Sequence, residues 1–301
     1  MTKAQVWLKA LRLRTLPLSL SGIILGSSIA LYEGFQNWTI FLLALLTTVL
    51  FQIVSNLAND LGDSQKGTDN ECRIGPMRAV QSGVISSKQM RNAVILFSVL
   101  SLVAAGILIF YGTHGMGSDA VIFYALLALA CIGAAILYTV GKRAYGYYGL
   151  GDLMVFIFFG LVSVMGVYPL YTKEIKIELL LPAACIGLLS TAVLNLNNMR
   201  DRANDERSGK NTLVVMMGAN LAKLYHAILI LGGLTSIALY MTSIDHPYVY
   251  IGLIPGIILL LHVRKVMATR DPKEFDPELK KVALCTFGIA VLTASGLIFS
   301  L

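Results

Sequence analysis

The chain is 301 residues long, 56% hydrophobic and only 14% charged, with a mean hydropathy of +0.72. Soluble domains carry about a quarter charged residues, so this composition excludes a soluble globular protein and marks a membrane protein. The net charge of +7 is no nucleic-acid signal here, because excess Lys and Arg in a membrane protein gathers in its cytoplasmic loops.

Residues 1–14 carry Trp7, Leu8, Leu11 and Leu13 among Lys3, Lys9 and Arg12, a pattern that suits a helix lying in the membrane interface. No small-x-small cleavage site follows the first apolar run, which is therefore read as a retained anchor and not a removed signal peptide. A span needs about 20 mostly apolar residues. That ruler gives nine helices, near 15–33, 38–57, 90–111, 119–140, 149–170, 178–197, 218–241, 247–264 and 281–301. The expected fold is all-α and polytopic, one transmembrane domain over 1–301 with polar motif loops at 58–89 and 198–217. With the N-terminus in the cytoplasm, only Lys173 and Lys176 of the 24 basic residues fall outside, as the positive-inside rule demands. The four cysteines have neither metal-ligand nor redox spacing and read as small apolar side chains.

Two stretches break the apolar pattern. Asn56–Asp69 reads NLANDLGDSQKGTD and Asn195–Lys210 reads NLNNMRDRANDERSGK; each begins in an apolar run and ends in carboxylates. Together they hint at an internal repeat of roughly 140 residues. Asp60 and Asp63 are spaced i, i+3 and Asp201 and Asp205 i, i+4, so on a helix each pair shares one face. A single such pair reads more readily as charges pairing in a solvated loop. Two of them, each preceded by Asn at the inner end of an apolar helix, point to a hard divalent cation, and Mg²⁺ takes few carboxylates, its own waters and phosphate oxygens. Asn56, Asn59, Asn197 and Asn198 add neutral polar groups at the same depth. Carboxylates alone suit cation binding or transport; with Lys66, Arg73, Arg78 and Lys210 beside them they suit a metal-bridged phosphate.

The tyrosines of 138–148 read as an interfacial aromatic belt, whereas Asp152 opens an otherwise apolar span. The four histidines share no spacing and are given no role. Gly22, Gly26, Gly160 and Gly166 are read as sites of close helix packing.

NDLGDSQKGTD followed by RIGPMRAVQSGVIS, then NNMRDRANDERSGKNTLVVMMG, resembles the UbiA superfamily of intramembrane aromatic prenyltransferases. LRLRTLPLSLSGIILGS and LYTVGKRAYGYYGLGDLMVFIFFG extend the resemblance over nearly the whole chain. Two departures, Gly67 in place of a third Asp (with Asp69 two residues later) and Asn197 in place of Asp, are similar to the branch whose acceptor is 1,4-dihydroxy-2-naphthoate. The resemblance implies nine helices around a central cavity in the cell (inner) membrane, with both motifs at its cytosolic mouth. It implies transfer of a polyprenyl group from polyprenyl diphosphate to the naphthoate, with loss of diphosphate and CO₂, giving demethylmenaquinone. Carried over by residue, Asn59, Asp60, Asp63, Asp201 and Asp205 are expected to hold Mg²⁺–diphosphate, with Asp69 beside them. Arg73, Arg78, Lys142 and Lys210 are expected on diphosphate oxygens, Arg14 or Tyr138 on the naphthoate, and Asp152 polarising its hydroxyl. Substrates and bilayer are the expected partners, with no nucleic acid and no obligate protein. The rival readings are another acceptor (4-hydroxybenzoate or homogentisate), a CDP-alcohol phosphotransferase, whose DG-x₂-AR pattern is lacking, and a cation or solute transporter.

Overall fold

The computed structural model describes residues 2–301. Among these residues the regular structure is helical throughout, and nine stretches are long and apolar enough to cross a membrane. The helices are α1 (Lys3–Leu11), α2 (Leu16–Tyr32), α3 (Trp38–Gln65), α4 (Ser87–Gly112), α5 (Ser118–Leu137), α6 (Gly151–Val155), α7 (Ser163–Thr172), α8 (Leu180–Arg207), α9 (Leu213–Met241), α10 (Ile254–Ala268) and α11 (Phe275–Phe299). A π-helical turn, Phe156–Val162, joins α6 to α7 within one span.

α1 begins at a reciprocal Thr2–Gln5 capping box and ends where Arg12 turns left-handed, at φ 48°. Pro17 then opens α2 in its first turn, where the missing N–H is not needed. α8 is the central strut, packed by α9, α11 and the π-helical turn around Leu25, Tyr168, Ile186, Leu189, Leu196 and Ile230. A second apolar cluster joins α1, α3 and α4 through Val6, Ile53, Leu57, Ile85 and Met90. α4 and α5 turn Ile95, Leu96, Val99, Phe123 and Leu126 outward, a surface that needs lipid around it.

Close helix approach explains three of the four glycines. A Cβ on Gly22 would lie 1.9 Å from Ser163 Oγ, one on Gly26 2.6 Å from Val167 Cγ1, and one on Gly160 2.6 Å from the Ala183 carbonyl. Gly166 differs: its nearest neighbour would be 3.9 Å away, and it faces the central cavity. On the far side of the membrane from the acidic motifs, Glu33 accepts hydrogen bonds from Tyr168 and, at 2.8 Å, from Lys176.

The main departure from expectation is the length of α3 and α8, which run on to Gln65 and Arg207 where hydropathy places loops from 58 and 198. Hydropathy ends where the apolar run ends, but a helix continues wherever its polar side chains find partners. Both extensions stop in the same way. Gly67 (φ 72°) and Gly209 (φ 69°) take the left-handed conformation, and the next N–H donates back to Asp63 and Asp205 respectively. This match makes Asn56 the counterpart of Asn198, Asn59 of Asp201 and Asp63 of Asp205, giving the sequence repeat a structural form.

Candidate active site

An apolar cavity of about 330 Å³ lies between α2, α3, α5 and the π-helical span. Phe158, Phe159 and Cys131 form its middle, Leu170 and Ile109 its outer part, and Asn56, Asn59 and Tyr138 its inner end. Tyr124 on α5 reaches across to donate a hydrogen bond to the Gly166 carbonyl, 2.9 Å away. At the inner end the cavity meets the charged ends of α3 and α8.

There the two motifs are tied together. Lys210 Nζ lies 3.4 Å from Asp63 Oδ1. The Arg73 guanidinium reaches both Asp69 (3.3 Å) and Asp201 (3.5 Å). Asp201 also accepts from Gly75 N and from Arg200, which binds it through Nε (3.1 Å) and Nη2 (2.6 Å). Asp205 is buried within the electrostatic reach of Lys210, Asp201 and Asp63. Asn197 accepts from Arg200 at 2.8 Å, and Asn198 is buried beside it on α8.

Asp60 is placed differently from its expected ligand role. Its two oxygens accept the backbone N–H groups of Ala79 (2.9 Å) and Val80 (3.1 Å), so it fastens the loop that follows the first motif. On α3 the pair facing α8 is thus Asn59 and Asp63, matching Asp201 and Asp205. Asn56 donates to the Leu11 carbonyl at 3.0 Å, and Asn59 accepts from Thr139 at 3.3 Å. Arg78 joins Arg73 around Asp69, 3.6 Å away. Burial, and then Asp63, pushes the Asp69 carboxyl up to about 7 despite Arg73. Burial opposes the Lys210 charge, but Asp63, Asp205 and Tyr147 outweigh it and hold the ammonium above the ordinary lysine range.

Three expected residues stand apart from the carboxylates. Arg14 and Lys142 are exposed. Asp152 is buried off the cavity wall and paired with Tyr225, and its backbone carbonyl accepts from Thr191. Tyr138 does line the cavity, edge-on to Tyr145, and burial raises its phenol above the usual range, with Asp63 and Asp152 adding to the effect.

Sequence reasoning missed Arg12. The left-handed turn after α1, pinned by Asn56, sends its side chain into the field of Asp60, Asp63 and Asp69. The usable signal was Pro17, which fixes a helix start and so a turn just before it. It also missed His226 and His262, which meet at 2.8 Å with Glu278 2.5 Å beyond; none of the three lines the central cavity.

Among the described residues no three His, Cys, Asp or Glu side chains could enclose a metal ion by themselves. The cluster does hold orphaned polar atoms. Both Asp69 oxygens, Arg12 Nη2 and Arg78 Nε are buried and make no hydrogen bond, Asp69 Oδ1 meeting Arg73 and Arg78 only as long ion pairs, a state that asks for a polar ligand. This donor set fits a cation that takes one or two carboxylates and completes its shell with water and phosphate oxygens.

Comparison with known proteins identifies the family and the fold. The model of the UbiA prenyltransferase family matches residues 19–297. The 1,4-dihydroxy-2-naphthoate octaprenyltransferase of Escherichia coli (strain K12) is 44% identical over 281 residues, 93% of this chain and 91% of that one. Its Haemophilus influenzae counterpart is 40% identical over 300 residues, 98% and 96% of the two chains. Among solved structures, a UbiA homologue from Archaeoglobus fulgidus bound to GPP and Mg²⁺ superimposes with a TM-score of 0.62 at 14% identity, covering 98% of this chain and all of that one.

Proposed function

The chain belongs to the UbiA prenyltransferase family, and from that premise we propose that it joins a polyprenyl group to 1,4-dihydroxy-2-naphthoate at the inner end of its central cavity. The donor is a polyprenyl diphosphate; the products are the decarboxylated prenylated naphthoquinol (the reduced form of demethylmenaquinone), diphosphate and CO₂. One observation carries this reading: carboxylates and bases from two distant motifs are joined at the mouth of an apolar chamber. The names of the relatives that are 44% and 40% identical support the choice of acceptor.

Asn59, Asp63, Asp205 and, on giving up its Arg200 and Arg73 side-chain contacts, Asp201 would hold Mg²⁺, which when bound would supply charge to the departing diphosphate. Arg12, Arg73, Arg78 and Lys210 surround the same space and add charge-assisted hydrogen bonds to its oxygens. Breaking the allylic C–O bond sends the electron pair out with the diphosphate. The apolar wall of Phe158 and Phe159 keeps water from the allylic cation. The ring carbon bearing the carboxylate attacks the cation, and the C–CO₂ bond electrons return to the ring as CO₂ leaves. Tyr138, protonated and on the cavity wall, orients the acceptor; Arg14 and Asp152, away from the chamber, do not touch it.

The chain is a multi-pass membrane protein; its bacterial relatives support an inner membrane, and the distribution of basic residues supports the N-terminus and the charged mouth in the cytoplasm. The test uses membranes enriched in the protein, given Mg²⁺, a polyprenyl diphosphate and competing aromatic acceptors, with products identified by mass. The decarboxylated prenylated naphthoquinol is expected; prenylated 4-hydroxybenzoate or homogentisate in its place would reassign the acceptor.

A further inference from the structure

Tyr147 lies in the connection between α5 and α6, at the end of a short 3-10 turn. Composition reads it as one ring of an interfacial belt, but it is only 7% exposed. Its hydroxyl stands 2.8 Å from Asp63 Oδ1 and 2.6 Å from Thr68 Oγ1. A carboxylate only accepts, so Tyr147 donates to Asp63, and Thr68 donates to Tyr147. Lys66 Nζ sits 3.8 Å from the ring centroid and Lys210 Nζ 5.2 Å from it. The Tyr147 carbonyl accepts from Asn211 N at 3.2 Å. One residue outside both motifs therefore touches Asp63, Lys66 and Thr68 of the first and Lys210 of the second, with Asn211 directly after it.

The direction of these contacts matters. Tyr147 and Lys210 both approach Oδ1 of Asp63, which leaves Oδ2 for a ligand and fixes the carboxylate plane. A ligand carboxylate held this way by an outer hydrogen bond keeps its orientation when the cation arrives. The ring meanwhile holds two lysines, whose ammonium groups favour an aromatic face.

We propose that Tyr147 is a positioning residue: its hydroxyl orients Asp63 for the divalent cation, and its ring holds Lys66 and Lys210 for the diphosphate. The assignment rests on the metal–diphosphate reading of the mouth. Packing alone would need only a ring, so Tyr147→Phe separates the two roles: it keeps the ring and removes the hydroxyl.

The experiment titrates Mn²⁺ into the full-length protein in nanodiscs, with farnesyl thiodiphosphate present, and follows free Mn²⁺ by electron paramagnetic resonance. Wild type binds Mn²⁺; if it does not, the metal reading itself falls, and this assignment with it. Tyr147→Phe is expected to bind Mn²⁺ about 10- to 100-fold more weakly, with kcat at saturating metal lowered far less than metal affinity. Tyr147→Leu is expected to raise the KM for prenyl diphosphate a further 3- to 10-fold or so, through the freed lysines. Wild-type Mn²⁺ affinity in Tyr147→Phe, with wild type binding normally, overturns the proposal. Should that variant fail to fold, Thr68→Val decides, since Thr68 orients the phenol: weaker Mn²⁺ binding supports the assignment and unchanged binding overturns it.

Discussion

Lys210 Nζ and Asp63 Oδ1 lie 3.4 Å apart although 147 positions separate them in the chain, and both side chains are less than a tenth exposed. The pair closes the ring formed by the two helix ends. Removing one partner from a buried ion pair strands the other. Lys210→Met is therefore expected to lower the melting temperature of the metal-free protein, and added Mg²⁺ to restore part of the loss by taking over the Asp63 charge. Its kcat/KM for prenyl diphosphate should fall by about 100-fold, since one charge-assisted contact to the substrate is lost from a desolvated site. Thermal melts with and without Mg²⁺, alongside steady-state kinetics, check both.

Asp60 and Asp63 separate cleanly. Asp60→Asn leaves one of two backbone donors, Ala79 N or Val80 N, without its acceptor, at a cost of about 1–3 kcal/mol in stability. The Mg²⁺ concentration for half-maximal activity should stay at the wild-type value. Asp63→Asn should abolish turnover while the protein stays folded. Melting curves and a Mg²⁺ titration of activity distinguish the two.

A pH dependence follows from Asp69. Burial raises its folded pKa to about 7, from 3.8 for an ordinary aspartate, so the folded state holds a proton that the unfolded chain has released. Stability of the metal-free protein should therefore fall as pH rises from about 4 to about 7 and then level off. Asp69→Asn should make that slope shallower, whatever its absolute melting temperature. Melts at a series of pH values in detergent measure it.

Gly22 tests the packing. A side chain there meets Ser163 Oγ at 1.9 Å and Ser163 Cβ at 2.6 Å, so Gly22→Val must part α2 from α7. Overpacking of this kind costs about 1–3 kcal/mol, and a lowered melting temperature is expected. Gly166→Ala, with nothing nearer than 3.9 Å, should melt as wild type does.

Much of this was legible in the sequence, because the signals involved are local. Nine spans follow from apolar length, and Asn56–Asp69 and Asn195–Lys210 announce themselves as polar groups where hydrocarbon would exclude them. What was not legible depends on who meets whom. Asp60 and Asp63 look alike in the chain, and only the fold of 78–80 back onto α3 engages both oxygens of Asp60 and leaves Oδ2 of Asp63 open. Arg12 and Arg14 differ by two positions, and a single left-handed residue decides which is aimed at the acids. Tyr147 looks like one of four tyrosines in a belt until Thr68 and Asp63 are placed on its hydroxyl. His226 and His262 lie on different helices and carry no spacing signal.

The central claim is that one cation–diphosphate bridges the ends of α3 and α8. Equilibrium binding of farnesyl thiodiphosphate, with and without Mg²⁺, to wild type, Asp63→Asn and Asp201→Asn tests it without relying on turnover. Mg²⁺-dependent binding should be present in wild type and lost in each variant alone, because neither helix end holds the ligand by itself. Full Mg²⁺-dependent affinity in either variant would contradict the shared site.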